Sequence, residues 1–190
     1  KKPQMQSKPI ISVSGLRGII GESLSPDLAA KYVTAYATEI PDGKILLGRD
    51  GRSSGAMLAQ AIKARLSAIG RDVIDVDVAA TPTVGVLTRH HQCVGGVQIS
   101  ASHNPAPYNG IKLFNDNGQV IDAAAGQKVL DRYNQLGEPA WIPFDQLGSI
   151  ESASDTISAH WDLVAATVDR EAIAAKRFNV LLDSNHGAGS

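Results

Sequence analysis

The chain has 190 residues, 43% of them hydrophobic and 19% charged, which is the profile expected of a soluble globular protein and not of a disordered one. Eighteen Lys+Arg against 19 Asp+Glu leave a formal net charge of −1, so no basic excess exists to neutralise a nucleic-acid backbone, and nucleic acid is not expected as a partner. No apolar stretch is long enough to span a bilayer, so no membrane partner is expected either. The one cysteine, Cys93, excludes an internal disulfide framework and a cysteine zinc site; beside Val94 it reads as an inert core thiol. The opening Lys1-Lys2-Pro3-Gln4 lacks a signal peptide's apolar segment, and a cytoplasmic location is the expectation.

Residues 1–9 are polar, carry two prolines and read as a loose arm. A short strand is expected over Ile10–Val13, then a turn at Ser14-Gly15-Leu16-Arg17-Gly18. Ser25 as N-cap, Pro26 at the first helical position and Asp27 against the dipole start a helix that should run to about Glu39 and stop before Pro41. Lys44–Gly48 reads as a buried strand. Ser53 and Ser54 are expected to cap a helix through Ala56–Ala68 that Gly70 ends. Alternation over Asp72–Val78 predicts a strand with Asp75 and Asp77 on one face, a pair to weigh for metal but with no third ligand near in sequence. Pro82 opens a short helix to about His91, and Val94–Ile99 is a further strand. Ile111–Phe114 should form a hairpin with Gln119–Ile121 around Asn115–Gly118, and 123–136 a helix ended by Gly137.

Pro139, Pro143, Gly148 and several serines make 138–154 the best linker candidate. Helical segments follow at about Asp155–Val168 and Arg170–Lys176, then a strand over Phe178–Leu182 and a Gly-rich turn from Asp183 to Ser190. A strand leading into a Gly-rich turn opens a βα unit. The expected organisation is a three-layer α/β/α domain with a mixed, mainly parallel sheet over 1–153, then the first helix and strand of a second, similar domain over 154–190, truncated. The apolar residues of 155–183 would pair with a second copy, as a homodimer or domain swap, or fold back on the first domain.

Three loops carry candidate chemistry, each leaving a strand. Ser100-Ala101-Ser102-His103-Asn104-Pro105 gathers hydroxyl, imidazole and amide, with Lys112 just beyond; Asn109-Gly110 should turn the chain back. It is either a nucleophile's perch or an ordinary polar loop, since the same residues favour turns. No G-x-S-x-G elbow precedes the serine, which argues against a serine hydrolase. The Gly-flanked Arg17 is either aimed at phosphate or solvated on a plain turn. Gly48-Arg49-Asp50-Gly51-Arg52-Ser53-Ser54 is either a phosphate rim at a helix N-terminus or a structural ion-pair loop. Convergence of the three at one end of one sheet would make a phosphate-handling site.

On these residues the sequence resembles the α-D-phosphohexomutase superfamily. Ser100–Pro105 matches its phosphoserine loop, T/S-A-S-H-N-P, and the likeness continues through Asn109–Lys112, the S-G-L-R-G turn at 14–18, the loop at 48–55, Thr81-Pro82-Thr83, and the D-x-x-[N/H]-G-A-G run at 183–189. The resemblance is closest to the phosphoglucosamine mutases, with phosphomannomutase/phosphoglucomutase enzymes next. Ile11-Ser12-Val13 replaces the F-G-T common in the family, and His186 stands where many members have Asn.

The resemblance implies an intramolecular phosphotransferase that interconverts hexose 6-phosphate and 1-phosphate, with glucosamine phosphate as first expectation. The implied alternatives are a phosphomannomutase/phosphoglucomutase and a non-catalytic sugar-phosphate-binding module. It implies Ser102 as phosphoryl carrier, Lys112 managing the attacking hydroxyl's proton with Arg17 close by, His103 assisting, and Asn104 and Arg49 binding substrate or phosphate. One Mg²⁺ would sit on the Ser102 phosphate, and a bisphosphosugar would serve as activator. The family's D-G-D-x-D-R and G-E-x-S-G-H loops do not occur in this sequence. The expectation is that these 190 residues alone lack mutase activity, because one wall cannot close a cleft around a bisphosphate.

Overall fold

The computed structural model describes residues 9–12, 15–184 and 187–189. The arm over 1–8, Val13 and Ser14, and Asn185, His186 and Ser190 of the closing turn lie outside the described residues. The elements are β1 (Ile10–Ser12), β2 (Gly15–Ile19), α1 (Pro26–Glu39), β3 (Ile45–Arg49), α2 (Ser53–Ala68), β4 (Val73–Val78), α3 (Thr81–His90), β5 (Gly95–Ile99), β6 (Tyr108–Asn115), α4 (Ala123–Gln135), β7 (Ile150–Ser152), α5 (Ser158–Ala165) and α6 (Arg170–Ala175).

The strands form one seven-stranded sheet in the order β1-β2-β6-β5-β3-β4-β7. Pairings from β5 through β3 and β4 to β7 are parallel, and those from β5 through β6 and β2 to β1 are antiparallel. By direction β2, β3, β4, β5 and β7 run one way and only β1 and β6 run against them, so the sheet is mixed and mainly parallel, as expected. Strand alternation sorts the core into two layers. Ile45 and Leu47 of β3 join Leu58, Ile62 and Leu66 of α2, Tyr32 and Tyr36 of α1 and Val129 of α4 on one face. Leu46, on the other face, joins Ile74, Val76, Phe114 and α3's Val84 and Leu87.

Local chemistry explains most boundaries. Ser25 Oγ accepts the Leu28 N–H at 3.2 Å and caps α1. At the other end of α1, Arg71 donates to the carbonyls of Ala37, Ile40 and Pro41, groups a helix terminus leaves unpaired. Cys93 is buried in the second core layer, and burial pushes its thiol up to about 11, as expected of an inert group.

The structure corrects several expectations. Gly15–Gly18 is not a turn but part of strand β2, paired with β6 through Leu16–Ile111 and Arg17–Gly110, while Ser14 lies outside the described residues. Ser53 and Ser54 do not cap α2: Arg52 takes the N-cap position and Ser53 is already helical. Asn109 and Gly110 do not turn the chain but lie inside β6, opposite Gly18 and Arg17. The strand expected at Gln119–Ile121 shrinks to one bridge between Phe114 and Val120. The linker segment is pinned: Ser67 Oγ donates to the Gly148 carbonyl at 2.6 Å, Asp72 accepts from both Ser149 N and Oγ, and β7 extends the sheet beside β4. Phe178–Leu182 is not a strand; no described strand lies beside it to complete a ladder, and its apolar residues are exposed.

Asp75 and Asp77 are bound to cations. Lys63 Nζ lies 2.5 Å from Asp75, and Arg49 holds Asp77 at 2.7 Å. Asp77 has φ 50°, which breaks the alternation expected to align the two carboxylates. Helix α5 folds back on α3, with Thr83 Oγ1 2.9 Å from His160 Nδ1. Among the described residues no helix is long and apolar enough to cross a membrane.

Candidate functional site

Three strands deliver the candidate loops to one end of the sheet. β3 ends at Arg49 and β5 at Ile99, in parallel register, so residues 50–53 and 100–107 leave side by side. β6 returns antiparallel to β5 and carries Lys112 back into the sheet opposite Gln98. β2 lies against β6 with Arg17 opposite Gly110. The convergence expected from the sequence is thus built by strand order.

The serine loop is tightly fixed. The Asp50 N–H bonds the Ile99 carbonyl, and the Ser100 N–H bonds the Gly110 carbonyl, both at 2.9 Å. Ser100, buried, accepts the Ser102 N–H at 3.0 Å, and Asn104 Nδ2 donates back to the Ala101 carbonyl at 2.8 Å. Fully buried Asn109 donates to Ser54 Oγ at 2.9 Å and so ties the far side of the loop to α2. Ser102 has φ 57°, a left-handed backbone that costs a non-glycine residue roughly 1–3 kcal/mol and persists only where the surroundings hold it. Its side chain is exposed, with Oγ 3.4 Å from His103 Nδ1.

The holder is Arg52, from the loop expected to be either a phosphate rim or a structural ion-pair loop. Arg52 Nη2 donates to the carbonyls of Ser102 at 3.0 Å and Asn104 at 2.6 Å. Its Nη1 donates to those of Pro105 at 2.9 Å and Tyr108 at 3.2 Å. Asp50 fixes Arg52 in turn, accepting from its backbone N–H and from Nε. Arg49 goes elsewhere, to Asp77 and to the Asp50 carbonyl. Both arginines of the motif therefore make structural pairs. The signal that separates them is Asp50 two residues before the N-cap Arg52, an Asx-type turn that orients Arg52.

Arg17 and Lys112 differ from them. Lys112 shares its face of β6 with Phe114 by alternation, and Arg17 lies on the side of β2 away from core residue Leu16. Neither side chain has an ion-pair or hydrogen-bond partner among the described residues. They line one small concavity of about 160 Å³ with Ser12, Gly15 and Ser100. Gly15 in its lining can only be glycine: its φ is 124°, and a Cβ there would collide with the Ile111 carbonyl oxygen. On the other side of the loop, Ser102 and Asn104 line a second concavity of about 510 Å³ with Asp50, Arg52, Ser53, Gly187 and Ala188.

Two cations without a partner among the described residues, in a trough that shares Ser100 with the exposed Ser102's loop, can hold a dianionic group. The described residues contain no group of three His, Cys, Asp or Glu side chains that could hold a metal ion. The neighbouring carboxylate, Asp50, is bonded to Arg52. A phosphate on Ser102 would supply one metal ligand, and the chain's described residues provide no cage around it.

Residues 9–140 match the family described as phosphoglucomutase/phosphomannomutase, alpha/beta/alpha domain I. Among curated relatives, a phosphoglucosamine mutase of Thermoanaerobacter pseudethanolicus is 35% identical over 191 aligned positions, covering 95% of this chain and 41% of the relative. A phosphoglucomutase/phosphomannomutase of Thermococcus kodakarensis is 36% identical, covering 93% of this chain and 39% of the relative. Among solved structures, a phosphoglucomutase/phosphomannomutase family protein of Burkholderia thailandensis superposes with a TM-score of 0.62 at 28% identity, over 75% of this chain and 32% of the other. The open form of a Paramecium phosphoglucomutase shares the fold, with a TM-score of 0.75 at 20% identity over 96% of this chain and 40% of the other. The chain thus spans about two fifths of the length of the curated relatives it matches.

Proposed function

The chain belongs to the phosphoglucomutase/phosphomannomutase family, and on that premise we propose that it forms the phosphoryl-carrying wall of a phosphosugar mutase with Ser102 as carrier. The observation that carries the reading is Ser102, held at φ 57° with its side chain exposed, on the loop whose Ser100 lines the trough with Arg17 and Lys112, two cations that have no partner among the described residues.

In the proposed cycle Ser102 begins as its phosphate ester. A hydroxyl of a hexose monophosphate attacks phosphorus; the new sugar O–P bond forms as the P–Oγ bond breaks. In the proposal the Lys112 amine, in its neutral form for this step, takes the hydroxyl's proton and becomes cationic as the transfer proceeds, while Ser102 Oγ takes up a proton from His103, the adjacent ring. The bisphosphosugar turns over and returns its other phosphoryl group to Ser102 by the same exchange. Each transfer brings together groups of about −1.5 to −2 charge, which Arg17 and Lys112 are placed to offset. Asn104 acts from the loop itself. A Mg²⁺ on the Ser102 phosphate belongs to the proposal as further charge neutralisation, its remaining ligands lying outside the described residues.

The proposed substrate is glucosamine 6-phosphate, supported by the motif likeness and by relatives of that name; phosphomannomutase/phosphoglucomutase activity is the second reading, supported by the other relative. Residues 1–153 are proposed as the phosphoserine domain and 154–190 as the start of the next. Turnover of glucosamine, glucose and mannose 6-phosphates by the full-length protein tests the substrate. The 190-residue chain alone is expected to show no mutase turnover, and rates near full length would refute that. Self-association through 155–183 is supported by the exposed Phe178–Leu182; a one-chain mass by light scattering at every concentration would refute it.

A further inference from the structure

We infer that Arg52 is a positioning residue for the phosphoryl carrier: its guanidinium holds the loop that presents Ser102 and does not itself bind phosphate. The inference rests on the reading of Ser102 as carrier, but its argument is a count of donors. A guanidinium has five N–H groups in a fixed planar fork and no acceptor. In Arg52, Nη1 serves the carbonyls of Pro105 and Tyr108, Nη2 those of Ser102 and Asn104, and Nε serves Asp50. Five donors meet five acceptors, and none is left for a phosphate oxygen. The side chain is largely buried, 17% exposed, and its carboxylate partner Asp50 is 18% exposed, so the pair is packed into the fold beneath the loop.

The four carbonyls belong to residues 102, 104, 105 and 108, so they span the nucleophile's own peptide and the turn that follows it. One planar cation gathers them, and the left-handed Ser102 is the position where the loop most needs such a hold. A lysine could reach some of these oxygens from a single point, without the fork that meets all four. A methionine would fill the volume and donate nothing. The expected defect lies in the placement of Oγ, because small displacements of a reacting atom cost rate and leave binding of the sugar phosphate intact.

The test uses the full-length enzyme with Arg52→Met and Arg52→Lys. Three quantities are read: kcat and KM for the hexose phosphate, the single-turnover rate at which a hexose 1,6-bisphosphate phosphorylates Ser102 by intact mass, and the thermal melt. Arg52→Met is expected to lower kcat and the single-turnover rate about 100-fold with KM within about threefold, and Arg52→Lys to recover part of the loss. A merely structural role would lower the melt and leave both rates at wild type in the folded protein, which would overturn the inference. A loss confined to KM would overturn it too, by making Arg52 a substrate ligand. If Arg52→Met does not fold, Arg52→Lys, which keeps charge and reach, carries the same comparison. Wild-type protein that takes no phosphate on Ser102 removes the carrier reading itself, and the control shows that without either variant.

Discussion

Two groups of cations stand within one end of the sheet, and they are used in opposite ways. Arg49 and Arg52, three residues apart, are bound to Asp77 and to Asp50 plus four carbonyls. Arg17 and Lys112, on neighbouring strands, line one trough with Gly15 and Ser100 and meet no described partner. A cation in a phosphate-handling motif is therefore not by that fact a phosphate ligand. Those whose donors are filled build the site, and those left unfilled have donors to offer a dianion. Arg71, at the opposite end of α1, is a third builder, matching helix-end carbonyls and Asp42.

The comparison breaks if the two groups respond alike to substitution. The largest effect is expected at Lys112: Lys112→Met should lower kcat of the full-length enzyme by about 100- to 10,000-fold, the range of a lost general acid–base. Arg17→Ala should lower kcat/KM by roughly 10- to 100-fold, the loss of charge-assisted bonds to phosphate. Neither should move the urea midpoint appreciably, since neither side chain has a partner among the described residues. Arg71→Ala reverses the pattern: about 2–4 kcal/mol lost in urea unfolding as three carbonyls lose their donor, with kcat unchanged in the folded protein. Arg49→Ala should change kcat by less than about threefold, because its charge is spent on a largely exposed Asp77. A 100-fold fall there would return Arg49 to the phosphate-binding role that the family resemblance implied.

The smallest effect concerns Cys93. Its buried thiol, raised to about 11 from 9.0, should not react with a thiol reagent at pH 8 until the protein unfolds. The raised value also fixes the sign of its contribution to stability, which is complete below pH 9 and lost as pH climbs through about 11. Labelling at pH 8 in the native state would contradict the burial.

Much of the fold was legible because its signals are local. Ser25-Pro26 and Pro41 bracket α1, and the β3–α2, β4–α3 and β5 segments follow from apolar runs between turn residues. The site's location was legible for a similar reason: its loops follow strands, and strand ends converge in such sheets. What was not legible depends on distant partners. Ile150–Ser152 becomes a strand because Ser149 meets Asp72 and Ser67 grips Gly148, contacts far apart in sequence. Phe178–Leu182 has the composition of a strand and no described neighbour to pair with. Arg49 and Arg52 look equivalent in the motif; the register shift at Arg49 and the N-cap position of Arg52 decide their directions.

The central claim is that Ser102 carries the phosphoryl group. Its most direct test is peptide mapping by mass after the full-length protein meets a hexose 1,6-bisphosphate. The expected result is one phosphate, on Ser102, lost again when excess hexose monophosphate is added and absent in Ser102→Ala. Phosphate on Ser100 or Ser53 instead, or none on the wild-type protein, would contradict it.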